Sequence, residues 1–554
     1  MVCAKVRSRL LLLPVLVAAA NSLAAQGGLP PVPVPPQNPI TPEKAILGKL
    51  LFWEEQMSSD NRVACGTCHT FAAGGGDLRR QVHPGPDGVT PSPDDRNGSP
   101  GIVRSDANNR YLPDAEFGLG QQVTFRASPS FLTAAWFPEL FWDGRARTTF
   151  VDPDTNQVLI PTGGALENQA LGPIVAGDEM AHDARTFAEA TTKLAAVQPM
   201  ALATNLPTDM AGAIAGGKTY GDLFAAAFGT PDITAARIAF ALATYQRTLV
   251  PDQSPWDQFQ RGVPGAMTQQ QINGMNVFNG PGRCNLCHTP GLFSDRQFHN
   301  LGLRPVAEDV GRQAVTNSVA DRGKFKTPSL RNAGLRASFM HDGRFNTIGA
   351  GPNVPSVFNF YLGGGGPFLD NKDPLLQPLQ VPPQAAGDLI NFVSTALTDP
   401  RVAAGLPPFD RPTLAAQRIP ATGFQYGIGS AGTGGRVPNL LAGIPANIGN
   451  IDFKVGVANA RGGALATLAV APVSASTQWQ GVNVNVDVFV TPALFWTTLG
   501  GVNGVAGAGY GTVQFALPPE PALRGITLYS QWFVWDAGVP VGLATSRGAE
   551  LRLF

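Results

Sequence analysis

The sequence predicts a mainly α protein of two similar helical domains, followed by a C-terminal all-β domain of sandwich type. Two observations carry that expectation. A cysteine–histidine pattern occurs twice, more than two hundred residues apart, and each copy follows an apolar stretch with helix-start signals. From Tyr426 onward the chain turns Gly-rich and alternates apolar with small or polar residues, the period-two pattern of strands. A chain of 554 residues has room for two to four such domains.

Each element has a local reason. Thr41-Pro42 offers an N-cap and a proline at the first helical position, leading into Leu47-Gly48-Lys49-Leu50-Leu51-Phe52. Thr268 and Gln271 form a capping box ahead of Asn273-Gly274-Met275-Asn276-Val277-Phe278. Thr234 caps an apolar run at helical spacing to Val250, expected as a helix linking the two units. Residues 388–397 suit an amphipathic helix that closes the second unit. The expected domains are therefore residues 41–251 and 252–418. Residues 74–120, rich in Gly, Pro, Asp and Asn, are expected to form a long loop over the first site. Residues 482–488 alternate strictly, and 512–517, 527–535 and 550–554 also suit strands. Residues 426–554 are thus expected to form a small sandwich.

Lys5, Arg7 and Arg9 precede an apolar run over residues 10–20, and Ala24-Ala25 stands before Gln26. This is the pattern of an export signal over residues 1–25. The run is short for a membrane span, so the mature chain is expected in the periplasm with no span, opening on a Pro-rich leader at 26–40. Forty basic and forty acidic residues cancel. That balance excludes partners recognised by bulk charge, such as nucleic acid or an anionic membrane.

Of five cysteines, Cys3 lies in the expected signal. The others form Cys65-Gly66-Thr67-Cys68-His69 and Cys284-Asn285-Leu286-Cys287-His288. Four cysteines in an exported protein suggest two disulfides, but C-x-x-C-H is the pattern of haem attachment. Two thiols one helical turn apart can add to the two vinyl groups of one haem, and the next imidazole ligates iron. Zinc asks for four ligands, and each motif supplies three. Two covalently bound haem c groups are therefore expected, with His69 and His288 as iron ligands.

Further blocks occur in a telling order: Phe141-Trp142-Asp143-Gly144-Arg145-Ala146; Leu166-Glu167-Asn168-Gln169-Ala170-Leu171-Gly172-Pro173 with Glu179-Met180; Phe293-Ser294-Asp295 with Phe298-His299-Asn300-Leu301-Gly302-Leu303; and Phe325-Lys326-Thr327-Pro328-Ser329-Leu330-Arg331-Asn332, running on to Met340-His341-Asp342-Gly343-Arg344-Phe345. With the two haem motifs they cover roughly residues 40–400. Over that span the chain resembles the bacterial dihaem cytochrome c peroxidases, including the MauG-type enzymes.

The resemblance implies two class I cytochrome c-like haem domains, the first peroxidatic and the second for electron transfer. It implies Glu179 as catalytic carboxylate, Gln169 as the group orienting water or peroxide, and Trp142 as electron relay. Trp142 is equally a candidate core anchor. His83, in a Gly/Pro-rich setting, is the candidate second ligand of the first iron, to leave on activation. For the second iron Tyr361 is preferred, as in MauG-type enzymes, with Met340 or a vacant position as alternatives. The family's calcium lies near an Arg-Asn-x-Pro stretch. Here Arg126-Ala127-Ser128-Pro129 lacks the Asn oxygen, so calcium is doubtful. His299 and His341 are expected to hydrogen-bond near the second haem, and His182 to be a surface residue. The implied partners are hydrogen peroxide and a small electron donor of cytochrome c or cupredoxin type. Two other functions remain open: a MauG-like oxidase of a protein or organic substrate, and a non-enzymatic dihaem electron carrier.

Overall fold

Thr41 opens the first long helix as expected: its Oγ1 accepts the Lys44 N–H at 3.3 Å, and the helix runs Pro42–Phe52. The computed structural model describes residues 28–554 apart from 80, 81, 93, 350, 352, 353, 421 and 422, so the expected export signal lies outside the described residues. Gly48 is where the helix Ala235–Thr248 crosses; a Cβ there would lie 1.9 Å from the Ala241 carbonyl oxygen. Only glycine permits so close a crossing. Thr234 caps Ala235–Thr248 as expected, accepting the Arg237 N–H at 3.2 Å. The helix is not a linker, however. Its residues Ala235, Ile238, Ala239 and Leu242 are buried in the core of the first half, with Leu47, Leu50 and Leu51.

The same helix carries a buried ion pair. Arg247 makes two bonds to Glu167, 2.7 and 3.0 Å, with the side chains 2% and 0% exposed. This pins the helix Ala165–Leu171 against Ala235–Thr248. Asn38 also donates to Glu167 at 2.9 Å. Trp136 Nε1 donates to the Pro30 carbonyl at 2.9 Å, and Arg247 Nε to that of Pro33 at 3.2 Å. The Pro-rich leader is therefore laid against the first half rather than extended from it.

The second half repeats the plan. Thr268 and Gln271 make the capping box of Gln269–Asn279. Gly274 lets the helix Pro383–Asn391 approach; a Cβ would lie 2.0 Å from the Asp388 carbonyl oxygen. This closing helix starts earlier than residue 388 and ends in a π-helical turn, Phe392–Ala396. Arg331 and Asp257 form a second fully buried bidentate pair, both bonds 2.8 Å. The chain then returns: Val402, Phe409 and Leu414 enter the core of the first half, and the Glu55 carboxylate accepts the Ala415 and Ala416 N–H groups at 2.6 and 2.7 Å.

The remainder is β. One antiparallel sheet has the order Ala493–Thr498, Leu465–Ala471, Thr527–Trp535, Leu543–Arg552, Phe424–Tyr426. A second has the order Gly509–Gln514, Lys454–Ala460, Asn439–Leu441. Leu440, Val455 and Val457 of the smaller sheet share one core with Leu468, Trp532 and Val534 of the larger, as in a sandwich. Among the described residues no helix is long and apolar enough to cross a membrane.

Replacing Glu167 by Gln leaves Arg247 buried without a counter-charge. We expect a loss of about 3–5 kcal/mol in stability, read from the denaturant midpoint; an unchanged midpoint would mean that the pair is not what holds these two helices.

Candidate active site

Cys65–Cys68 is a single helical turn in which Cys65 O accepts the His69 N–H at 3.0 Å. Gly66 lies against the Trp53 indole, 2.2 Å from where a Cβ would stand, so no side chain fits there. His69 Nδ1 bonds the Gly75 carbonyl at 3.1 Å. A carbonyl only accepts, so Nδ1 carries the proton and Nε2 keeps its lone pair. Gly74 and Gly75 take positive φ, 58° and 89°, to present that carbonyl. The second motif repeats the device: Cys284 O accepts the His288 N–H at 2.8 Å, and His288 Nδ1 bonds Phe293 O at 3.0 Å. Burial lowers the pKa of both imidazoles and so favours their neutral, ligating form. Burial also pushes the Cys65 and Cys68 thiols up to about 12, which keeps them protonated. Four free cysteines, each pair beside an oriented imidazole, fit haem c.

A cavity of about 310 Å³ opens beside the first motif, within the range of ligand sites. Cys68, His69, Trp142, Gln169, Glu179 and Lys326 all line it. The cavity thus brings together the three residues expected to act, Glu179, Gln169 and Trp142. Gln169 sits on the helix that carries Glu167, so the buried ion pair fixes its position. Burial pushes the Glu179 carboxyl up to about 7; Asp178 adds to this and the Arg145 guanidinium opposes it. Lys326 is driven the other way, also to about 7, by burial. It donates to Glu139 O at 3.1 Å and lies 4.3 Å from the Phe137 ring centre.

Trp142 is buried, and its Nε1 donates to Ala127 O at 2.7 Å. It sits in a turn that occurs twice. Leu140–Ala146 and Phe339–Phe345 are both closed by antiparallel bridges. Phe141 (φ 63°) and Met340 (φ 67°) hold the same left-handed position, as do Gly144 (78°) and Gly343 (72°). Asp143 and Asp342 accept the Arg145 and Arg344 N–H groups at 3.1 and 3.3 Å. His341 is thus the twin of Trp142, a role the sequence reading missed although both x-Asp-Gly-Arg blocks were visible. It stacks on Phe325 at 3.6 Å with an 11° tilt, and its ring lies 6.4 Å from that of Trp142. Its Nε2 has no hydrogen-bond partner among the described residues, and burial pushes its pKa down to about 4.

The other expected ligands fall as follows. His83 packs 4.4 Å from the Phe117 ring, its Nδ1 accepts the Gly85 N–H at 3.2 Å, and it does not line the cavity. Burial raises the Tyr361 phenol, and the Cys287 and Cys284 thiols add to the shift, which sets Tyr361 in the field of the second motif. Met340 holds the left-handed position of its turn. At the doubtful calcium stretch, Ala127 N–H donates to His341 O at 2.8 Å while its carbonyl serves Trp142. Arg126 beside it bridges Asp143 and Asp309 at 2.6 and 2.7 Å. His299 lies between Asp295 (2.8 Å) and Asp373 (2.5 Å), which raise its pKa. His182 is buried, not at the surface: its N–H donates to Ser59 Oγ at 2.9 Å.

A family model described as di-haem cytochrome c peroxidase matches residues 42–264. The methylamine utilization protein MauG of Methylorubrum extorquens is 30% identical over 376 residues, covering 67% of this chain and 82% of the relative. That of Methylophilus methylotrophus is 31% identical, covering 56% and 72%. Cytochrome c551 peroxidase of Nitrosomonas europaea is 27% identical, covering 57% and 74%.

If each motif holds its own group, replacing Cys284 and Cys287 together by Ser should leave the mass of one haem covalently attached, by intact-protein mass spectrometry. Two haems retained would refute attachment at the second motif.

Proposed function

This chain belongs to the di-haem cytochrome c peroxidase family, and from that premise we propose that it is an exported, periplasmic enzyme reducing hydrogen peroxide to water. Electrons would come from a small redox protein of cytochrome c or cupredoxin type. Haem c held by Cys65, Cys68 and His69, with a second held by Cys284, Cys287 and His288, would supply peroxide binding and electron storage. The observation that carries the reading is the Glu179 carboxyl, poised at about 7 in one cavity with Gln169 and His69.

Splitting peroxide requires a proton to leave the inner oxygen and reach the departing one. A carboxylate with a pKa near the working pH does both, accepting at one Oε and returning the proton from the same group. Gln169 supplies an amide donor and acceptor to orient the peroxide. Trp142, whose backbone carbonyl is bonded to Lys326 of the second half at 2.7 Å, offers a π-system for electrons passing between the halves. His83 packs on Phe117 away from the cavity lining, so a role as second ligand of the first iron would require it to leave Phe117. An electron carrier needs neither Glu179 nor Trp142, and that disfavours the non-enzymatic alternative.

A second reading, a MauG-like oxidase of a protein or organic substrate, is favoured by one observation: Tyr361 is buried in the neighbourhood of Cys284 and Cys287. A phenolate ligand would favour ferric iron and weaken a simple relay.

Glu179→Gln should lower peroxide turnover by about 10²–10⁴-fold with both haems retained; full turnover would remove Glu179 from the mechanism. The base form exists only above its raised pKa, so wild-type kcat/KM should climb with pH and level off above about 7, and the variant should lose that limb. For the second site, Tyr361→Phe should move the optical spectrum and reduction potential of one haem; identical spectra would eliminate Tyr361 as a ligand.

A further inference from the structure

The C-terminal β domain has no role in the chemistry above, yet it grips the chain at residues 105–111, which backs the segment that carries Glu179. We infer that this domain is a positioning module for Glu179, acting through Lys454. The inference rests on the proposed role of Glu179.

Lys454 begins the strand Lys454–Ala460 and is 1% exposed. Its three N–H donors meet three acceptors: Ser105 Oγ at 2.9 Å, Asn109 O at 2.8 Å and Asn109 Oδ1 at 2.8 Å. All three are neutral. The ammonium also lies 4.3 Å from the Tyr111 ring centre. Burying a cation on neutral acceptors is a poor source of stability but fixes one geometry. The same sheet adds further ties: Tyr111 N–H donates to Thr512 Oγ1 at 2.9 Å, and Gln514 Nε2 donates to Asn109 O at 3.0 Å. Gly456 leaves room for the Tyr111 ring, which would lie 2.5 Å from a Cβ.

What Lys454 holds in turn holds Glu179. Ser105 O accepts the Asp183 N–H at 2.8 Å. Three residues upstream, the Ile102 N–H donates to Glu179 O at 3.2 Å. Gly101 presses on the Asp178 carbonyl, where a Cβ would lie 2.2 Å away. On the other side Asn109 Nδ2 donates to Ser59 O at 3.0 Å, and the Ser59 N–H donates to Met180 O at 2.9 Å. Residues 178–183 are thus bracketed by two strips of chain, both tied to acceptors of Lys454. Asp452 pairs with the buried Lys193 at 2.7 Å, a second anchor two residues away. A carboxylate that must meet both oxygens of peroxide tolerates little displacement.

The test uses the full-length holoenzyme and compares Lys454→Met and Thr512→Val with Trp479→Ala, a change on the exposed face of the β domain. Amide hydrogen exchange over residues 178–183 should rise about tenfold in Lys454→Met. Peroxide kcat should fall by about tenfold, and the limb near 7 should move to lower pH as water reaches Glu179. Thr512→Val should shift all three in the same direction by less, and Trp479→Ala should shift none. If Lys454→Met does not fold, Thr512→Val decides. Wild-type exchange over 178–183 in a folded Lys454→Met or Thr512→Val protein overturns the inference. Faster exchange with unchanged turnover overturns the positioning role as well. Failure of the Glu179 reading appears separately, as full turnover in Glu179→Gln.

Discussion

Two backbone hydrogen bonds exchanged between the halves hold the candidate site together: Lys326 N–H to Trp142 O at 2.7 Å, and Ala127 N–H to His341 O at 2.8 Å. Each half lends a tight turn to the other's strap, so neither half can shift alone. The cavity depends on this exchange. Its wall draws His69, Gln169 and Glu179 from the first half and Lys326, Pro328 and Ser329 from the second. Arg126, bridging Asp143 and Asp309, closes the same seam with charge.

Within the cavity, one cause acts on both Glu179 and Lys326. Burial raises Glu179 and lowers Lys326, and the two converge on about 7 from opposite sides. A low-dielectric site penalises charge of either sign, so the carboxyl can exchange a proton at neutral pH while the lysine carries its charge only partly. Only Arg145, half-exposed and stacked on Phe141 at 3.6 Å, opposes the rise at Glu179. The same burial keeps His341 neutral between Phe325 and Trp142.

What was legible in the sequence was what is local. Caps at Thr41, Thr234 and Thr268 depend on three or four residues and were read directly. So were the two C-x-x-C-H motifs, whose spacing is itself the chemistry. Glu179 and Trp142 became visible only through the resemblance, because a loop acid and an apolar ring have no local signature. Long-range packing was not legible. The helical period of Ala235–Thr248 announced a helix but not its partner, and Gly48, the residue that admits it, looks ordinary in sequence. His182 looked like a surface histidine because nothing nearby reveals Ser59. Period-two alternation found strands in the β domain but not their order, since pairing joins Phe424–Tyr426 to a strand more than a hundred residues later.

The two halves share a scaffold and differ at matched positions. Trp142 is matched by His341, Phe141 by Met340, and Ala127 stands where Lys326 stands. Gly48 and Gly274 admit equivalent helix crossings. The 178–183 segment lies against the strip at 101–111, and that strip is what the β domain grasps. A duplicated fold can bind two like groups symmetrically, but it cannot by itself make one of them reactive. With Glu179 in its proposed role, the asymmetry would be built by a carboxylate whose backing is held by Lys454, a lysine from the β-rich region.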